Sequence, residues 1–387
     1  MTAGTYELCD RLAGGDPTPA LLQRLRSLQL ARNQVLLAAV QRRVPGHDAA
    51  FHALGRLQRD EPRLMAETLL LPQVGCWAVD SLWRLDHGEE PDLDYLAALA
   101  AGAAMRAGRP PGTVPPWLRA GTLVPGLGTV TGSGLVPIPT LDVAEGGTRL
   151  SVRLDAIDPY LAGYGKRGRP DPVWWQRELG RAWRVLCERH HGAAETVAEV
   201  FTTLVPLESR QRSRPFSATS GWAYGAIALS PPPDPLGLAE SLVHEVWHLL
   251  LGAVEDMTSL ADPDDDRRWY APWRSDPRPL GALVQGCFAN FAITAFWRTE
   301  CGVPSPRSPG RAETEFAHRR AITFEALTRA AGSGGLTAAG RHLVDGLLHR
   351  LSPWLREPLP AAAERRAAEL RAAHRARWLA ANPGYAL

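Results

Sequence analysis

Between Ser241 and Asp256 the chain reads SLVHEVWHLLLGAVED, which sets His244, Glu245 and His248 in the spacing H-E-x-x-H. Residues four apart on a helix project from one face, one turn apart, so these two imidazoles can bind one metal ion through two nitrogens. Glu245 lies about 100° around the helix from His244, and its carboxylate can flank the ion without ligating it. In a zinc peptidase such a glutamate takes a proton from metal-bound water. The same spacing also arises by chance, and the bland alternative is a semi-buried helix with two incidental histidines beside Trp247. Against that stands a cost: two partly buried imidazoles and a carboxylate among leucines are desolvated without compensation unless a partner is present.

A metal needs a third donor. The extended metzincin pattern requires a glycine three residues after His248 and a histidine six after, but Leu251 and Val254 stand there. Glu255, seven residues past His248, shares the face if the helix persists. Gln285 is the other candidate, on a later apolar helix that can face back. His342 and His349 are more distant options and read better as surface or core-edge residues. Directly before the motif, Trp222 to Leu229 reads as a strand and Asp234-Pro235 as a helix start. Zinc peptidases use a strand so placed to hold an extended peptide by β-augmentation.

Peptide hydrolysis does not explain the segment YAPWRSDPRPLGALVQG, Tyr270 to Gly286. It sets Arg274 and Arg278 in a Pro-rich, aromatic loop between the two helices. Pre-organised guanidinium groups near a metal are carboxylate clamps, because the planar fork matches a carboxylate bidentately. The competing expectation is that both arginines pair with the acidic run Asp262 to Asp266.

With these pieces in view, the sequence resembles the HExxH-motif peptide-modification proteins, described as 2-oxoglutarate-dependent (α-ketoglutarate-dependent) peptide β-hydroxylases of ribosomal-peptide biosynthesis. A similar domain occurs fused to radical-SAM cyclophane-forming maturases. The resemblance rests on FSATSGWAYGAIALSPPPDPLGLAESLVHEVWH, YAPWRSDPRPL, GALVQGCFANFAITAFWR and the closing HRARWLAANP, and is strongest from Phe201 to Arg298. The chain departs from it at Trp247, where many members have glutamine. The resemblance implies Fe(II) held by His244, His248 and a third donor such as Gln285. It implies 2-oxoglutarate gripped by Arg274 or Arg278 near Tyr270, O2 as co-substrate, and a precursor peptide hydroxylated at a β-carbon with succinate and CO2 released. Glu245 would then orient a ligand or enter the ligand set, not activate water. The alternative is a zinc-dependent HExxH peptidase or amidase with Glu245 as general base. A third class is a silent peptide-binding scaffold.

The elements that must position these groups can be read from texture. PALLQRLRSLQLARNQVLLAAVQRR and AAFHALGRLQRDEPRLMAETLLLPQVGCWAVDSLWRL carry apolar residues at helical spacing, punctuated by Pro62 and Pro72. LDYLAALAAGAAMRAG is a small-residue helix suited to close packing. From Gly108 a Pro-rich turn leads into short β-branched runs, GTLVPGLGTVTG, GLVPIPTLDVA and TRLSVRLDAI, broken by Gly and Pro as in hairpins. The stretch from Asp171 through FTTLVPL reads as a return to helix, with Asp171 as cap. Leu280 to Arg298 is apolar nearly all round, and three helices close the chain.

The expected fold is therefore α+β and mostly helical, with a small central β-sheet next to a zincin-like HExxH helix. One domain is expected over 1–387, divided into an N-terminal helical layer (1–110), a mixed α/β catalytic core (111–300) and C-terminal helices (301–387). With 43 basic against 41 acidic residues the chain is near neutral, which gives no reason to expect nucleic acid or an anionic membrane. Lys166 is the only lysine, a bias shared with the abundance of Ala, Gly and Pro. Cys9, Cys76, Cys187, Cys287 and Cys301 are scattered, which speaks against a disulfide framework. The start MTAGTYELCDRLAGG lacks the apolar core of a signal peptide, and no run approaches the roughly 18–20 apolar residues of a membrane span. The expected location is the cytoplasm.

Overall fold

Proline has no N–H to offer, so it fits the first turn of a helix, where that donor has no intrahelical partner. Pro19, Pro62, Pro72, Pro172 and Pro235 each stand at the first position of a helix. The computed structural model describes residues 3–15, 17–45, 48–108, 119–208, 216–304 and 308–385. Helices make up 61% of it and the strands form small sheets, so the protein is mostly helical α+β. Of the Pro-rich turn expected after Gly108, residues 109–118 lie outside the described residues. The chain forms two compact units.

The sheet unit comprises Gln23–Arg181 and Ala198–Pro235. It holds most of α2 (Pro19–Arg43), then α3 (Asp48–Asp60), α4 (Pro62–Leu69), α5 (Pro72–Asp86) and α6 (Leu93–Arg106). Their apolar faces meet in one core around Phe51, Leu69, Trp77 and Leu96. The small residues of α6 do allow close approach: a Cβ on Gly102 would sit 2.6 Å from a Val124 methyl. A three-stranded antiparallel meander follows, β1 (Leu123–Val124), β2 (Gly128–Thr131) and β3 (Gly134–Pro137).

The larger sheet has the order β4-β5-β6-β8-β7. Its strands are β4 (Thr140–Glu145), β5 (Thr148–Leu154), β6 (Thr203–Pro206), β7 (Ser217–Ala218) and β8 (Ala226–Leu229). The β4–β5 hairpin turns at Gly146 and Gly147, both at positive φ, as such a tight turn requires. Between β5 and β6 the chain runs through α7 (Pro172–Arg189) and α8 (His191–Val200). Asp171 does cap α7, its Oδ1 accepting from the Trp174 amide at 3.0 Å.

Two sequence expectations fail here. FTTLVPL does not continue a helix; Thr203 to Pro206 is β6, parallel to both β5 and β8. All four of its residues are buried, so no polar-apolar alternation betrays the strand. The strand before the motif is Ala226–Leu229, shorter than expected, and it is not a free edge. Its Ala228 and Leu229 pair with β6 on one side and β7 on the other, which leaves those positions no room for an added peptide strand.

The helix unit comprises Met1–Leu22, Ala182–Val197 and Leu236–Leu387. It includes α1 (Ala3–Ala13), a helix that sequence texture did not mark, and α9 (Pro235–Glu255), which carries the HExxH motif. A two-stranded ribbon, β9 (Arg268–Trp269) with β10 (Arg278–Pro279), leads into α10 (Leu280–Glu300). Then come α11 (Arg311–Ala331), α12 (Ala338–Leu351) and α13 (Ala361–Ala381). α10 packs against α11 and α12, and α11 against α13. By length and composition α10 could cross a membrane, but 78% of its apolar window is buried inside the protein, so it serves as the unit's central core helix. At its far end, buried Glu300 accepts from Arg189 at 2.6 Å and pairs with His190 at 2.8 Å. Arg319 of α11 ties the motif helix in place, donating to Glu240 of α9 at 3.1 Å and to Asn290 of α10 at 3.3 Å.

The sheet unit holds a buried acid whose titration is testable. Asp158 accepts from the Tyr95 hydroxyl at 2.8 Å and from the Tyr160 amide at 3.0 Å. Burial, and then the charge of Asp155, push its carboxyl up to about 7. In the unfolded chain an aspartate titrates near ~3.9. Its contribution to stability is therefore complete below about pH 4 and is lost as pH rises through about 7. Asp158→Asn removes this titration. Relative to wild type, the variant should gain on the order of 2–4 kcal/mol between pH 4 and pH 8, read from urea midpoints. A wild-type-to-variant difference that stays flat over that range contradicts the assignment.

Candidate metal centre

The His244 and His248 rings lie edge to face with centroids 4.7 Å apart, one turn apart on α9 as the spacing requires. Most of the rest of α9 is apolar and buried, including Leu242, Val246, Leu249 and Leu250, which fixes the face that the imidazoles share. Glu245 is 3% exposed, and its Oε1 lies 4.0 Å from His244 Nε2. Burial, then the nearby charges of His248 and Arg319, hold the His244 imidazole well below its usual pKa. It is thus neutral at ordinary pH, the form that ligates a metal.

A hydrogen-bonded relay sets the other ring. The Gln285 amide nitrogen donates to Glu255, so the amide oxygen of Gln285 faces the opposite way. That oxygen lies 3.1 Å from His248 Nδ1. An amide oxygen only accepts, so Nδ1 carries a proton, and in the neutral ring the lone pair then lies on Nε2. This is how outer groups usually fix the tautomer of a metal-binding histidine. Burial, partly offset by the Gln285 bond, pushes the Glu255 carboxyl up to about 7. Gln285 thus comes to His248, and Glu255 to Gln285. In this geometry, however, Gln285 orients His248 from the Nδ1 side, and it could share an ion with His248 only if that ring ligated through Nδ1.

His244 Nδ1 is buried and has no hydrogen-bond partner among the described residues. An orphaned imidazole nitrogen in such a place is costly, and two imidazoles with an amide beside them suit a divalent cation of the transition series. Among the described residues no group of three His, Cys, Asp or Glu side chains is gathered to hold an ion unaided. In this geometry a third donor would come with a ligand, or from the Gln285 amide if His248 ligated through Nδ1. His342 and His349 take no part: His342 pairs with Asp10, and His349 is exposed on α12.

The YAPWR loop forms a second cluster. Arg274 Nε donates to Asp276 Oδ1 and an Arg278 terminal nitrogen to Asp276 Oδ2, each at 3.0 Å. The acidic run 262–266 is not their partner; within it Asp265 binds Arg267. Burial raises the Asp276 carboxyl, but the bonds from Arg278 and Arg274 outweigh it and leave the pKa below the usual range. The loop thus does hold two guanidinium groups on one carboxylate, and that carboxylate is its own. Half-exposed ion pairs of this kind are worth about 0–1 kcal/mol, so another carboxylate could compete for them.

Tyr270 is buried, and its hydroxyl lies 2.9 Å from His374 Nδ1 of α13. Its ring meets Trp378 edge-on at 5.0 Å, and Asn382 donates to the Ser275 carbonyl at 2.9 Å. The closing HRARWLAANP segment therefore braces the YAPWR loop. Sequence reading did not foresee Asp276, His374 or Arg319 as participants; the DPRP string was the one local signal, and the other two are far away in sequence. No family model matches the chain, and no curated protein matches it significantly.

The loop is also pinned to α10 beside Gln285. A Cβ on Gly286 would fall 2.5 Å from the Trp273 ring. Gly286→Ala should displace Trp273, lower stability by about 1–3 kcal/mol and shift the tryptophan emission. An unchanged melting temperature and spectrum would show that Trp273 does not pin the loop.

Proposed function

We propose that the protein is an Fe(II)- and 2-oxoglutarate-dependent oxygenase that β-hydroxylates a residue of a ribosomally made precursor peptide. The observation that carries this reading is the pair of facing imidazoles, with His248 Nδ1 engaged by the Glu255–Gln285 relay and His244 held neutral. The resemblance of the YAPWR-x-DPRP string supplies the reaction class. When bound, iron(II) with 2-oxoglutarate and O2 supplies the oxidising power that turns a peptide C–H into C–OH, with succinate and CO2 as the other products.

The chain's own residues do the rest. His244 and His248 would hold the ion. Gln285 fixes the His248 ring or serves as the neutral third donor, and a neutral donor preserves the attraction of the +2 ion for a dianionic co-substrate. Glu245, buried beside His244, orients that ring. Arg274 and Arg278 bind the distal carboxylate of 2-oxoglutarate in exchange for Asp276, and Tyr270, braced by His374, keeps their loop in place.

One observation favours a second reading. The Glu245 carboxylate, 4.0 Å from His244 Nε2, stands where a zinc peptidase would place its general base. The two readings separate in one experiment: incubation of a candidate precursor peptide with the protein, Fe(II), 2-oxoglutarate and O2, followed by mass spectrometry. The oxygenase reading predicts a peptide one oxygen heavier and an equal amount of succinate, both lost in His244→Ala. Cleaved peptide formed with zinc, without need for 2-oxoglutarate, supports the hydrolase instead.

Arg274→Gln and Arg278→Gln test the clamp. Losing a charge-assisted bond of about 1.5–3 kcal/mol should raise the half-saturating 2-oxoglutarate concentration about 10- to 100-fold in at least one of them. Unchanged co-substrate dependence in both variants removes the arginines from this role.

A further inference from the structure

The sheet unit contains a cavity of about 180 Å³ at the amino ends of β6 and β8. A buried water needs only roughly 10–15 Å³ of such space, so this one has room for a small organic group. Three arginines line it, Arg26 of α2, Arg106 at the end of α6 and Arg153 of β5, against two acids, Glu67 and Glu199. Arg26 already pairs with Glu199 at 3.6 Å. Arg106 donates to the Thr68 hydroxyl, and its Nε is buried without a partner. Arg153 donates to the Thr203 hydroxyl at 3.4 Å. Glu67 and Asp155 act on these two guanidinium groups through space, but the hydrogen-bond partners of both are neutral hydroxyls.

We propose that this cavity binds a carboxylate, gripped between Arg106 and Arg153. Partly buried guanidinium groups are ordinarily matched by carboxylates, and among the described residues neither of these two hydrogen-bonds to one. The lining carries one more positive charge than negative, which a singly charged carboxylate neutralises. A phosphate dianion would overshoot it beside Glu67 and Glu199. Burial depresses the pKa of both arginines, Arg106 further lowers that of Arg153, and an anion between them relieves that repulsion. Thr202 and Tyr224 add hydroxyls to the wall, and burial, with the Glu199 charge, keeps the Tyr224 phenol protonated as a donor. Gly225 keeps the floor open: with φ at +93° its missing Cβ would lie 2.7 Å from the Thr202 hydroxyl. The carboxylate can belong to a small free acid or to the C-terminus of a peptide. The proposal concerns the sheet unit alone and does not rest on the metal reading.

The test is thermal unfolding of the full chain against acetate, triglycine, triglycine amide and inorganic phosphate. It uses the Arg274→Gln/Arg278→Gln protein, so that the YAPWR loop cannot contribute. A saturable rise in melting temperature with acetate alone identifies a small acid. A rise with triglycine but not its amide identifies a chain terminus. Either response should vanish when Arg106→Gln or Arg153→Gln is added. Should those variants not fold, Arg153→Lys keeps a charge but lacks the planar fork, and should weaken binding about tenfold. No stabilisation by either carboxylate, equal affinity in Arg153→Lys, or phosphate binding more tightly than both would overturn the proposal.

Discussion

The account turns on one chain of hydrogen bonds, from Glu255 through Gln285 to His248. A Glu255 oxygen accepts from the Gln285 amide nitrogen; the amide oxygen is thereby aimed at His248 Nδ1, which carries a proton, and the neutral ring keeps its lone pair on Nε2. Each member is placed by larger structure. Glu255 and His248 are held by the same apolar face of α9. Gln285 sits on α10, whose burial makes it the rigid core of its unit. Arg319 locks the two helices together and, as a fixed positive charge, helps to keep His244 neutral. The proposed ligand pair is thus organised by parts of the fold whose primary role is packing.

The arginine loop is organised differently. Its two guanidinium groups share Asp276 at a partly exposed site, where the ion pairs contribute little net energy and can exchange. Its stiffness comes instead from apolar anchors: Tyr270 under α13, Trp273 against Gly286, and the β9–β10 ribbon at its base. A firmly held loop with loosely held charges can admit a carboxylate without rebuilding itself, as the proposed co-substrate clamp requires.

Much of the scaffold was legible because helices announce themselves over many residues. α2 spans the quoted periodic run, Pro62 and Pro72 open helices, and α9 and α10 begin where Asp234-Pro235 and the DPRP string indicate. β6 was not legible: four buried residues carry no period, and its pairing with β5 and β8 is a tertiary fact. In the site, His244, Glu245, His248, Glu255 and Gln285 could be nominated from spacing, but the direction of the Gln285 amide could not, because it depends on which neighbour accepts. The contact between Tyr270 and His374 joins residues 104 apart. The arginine cavity was invisible for a different reason. Arginine is common throughout this chain, so no sequence feature separates Arg106 and Arg153 from those that only solvate the surface.

The most direct test of the metal centre is equilibrium dialysis of chelator-treated protein against Co(II), read by metal content and visible absorption. The account predicts one ion per chain with a ligand-field spectrum. Binding should be lost in His244→Ala/His248→Ala and weakened about 10- to 100-fold when the orienting amide is removed in Gln285→Ala. A wild-type protein that takes up no cobalt, or a double-histidine variant that binds it as tightly as wild type, contradicts the account.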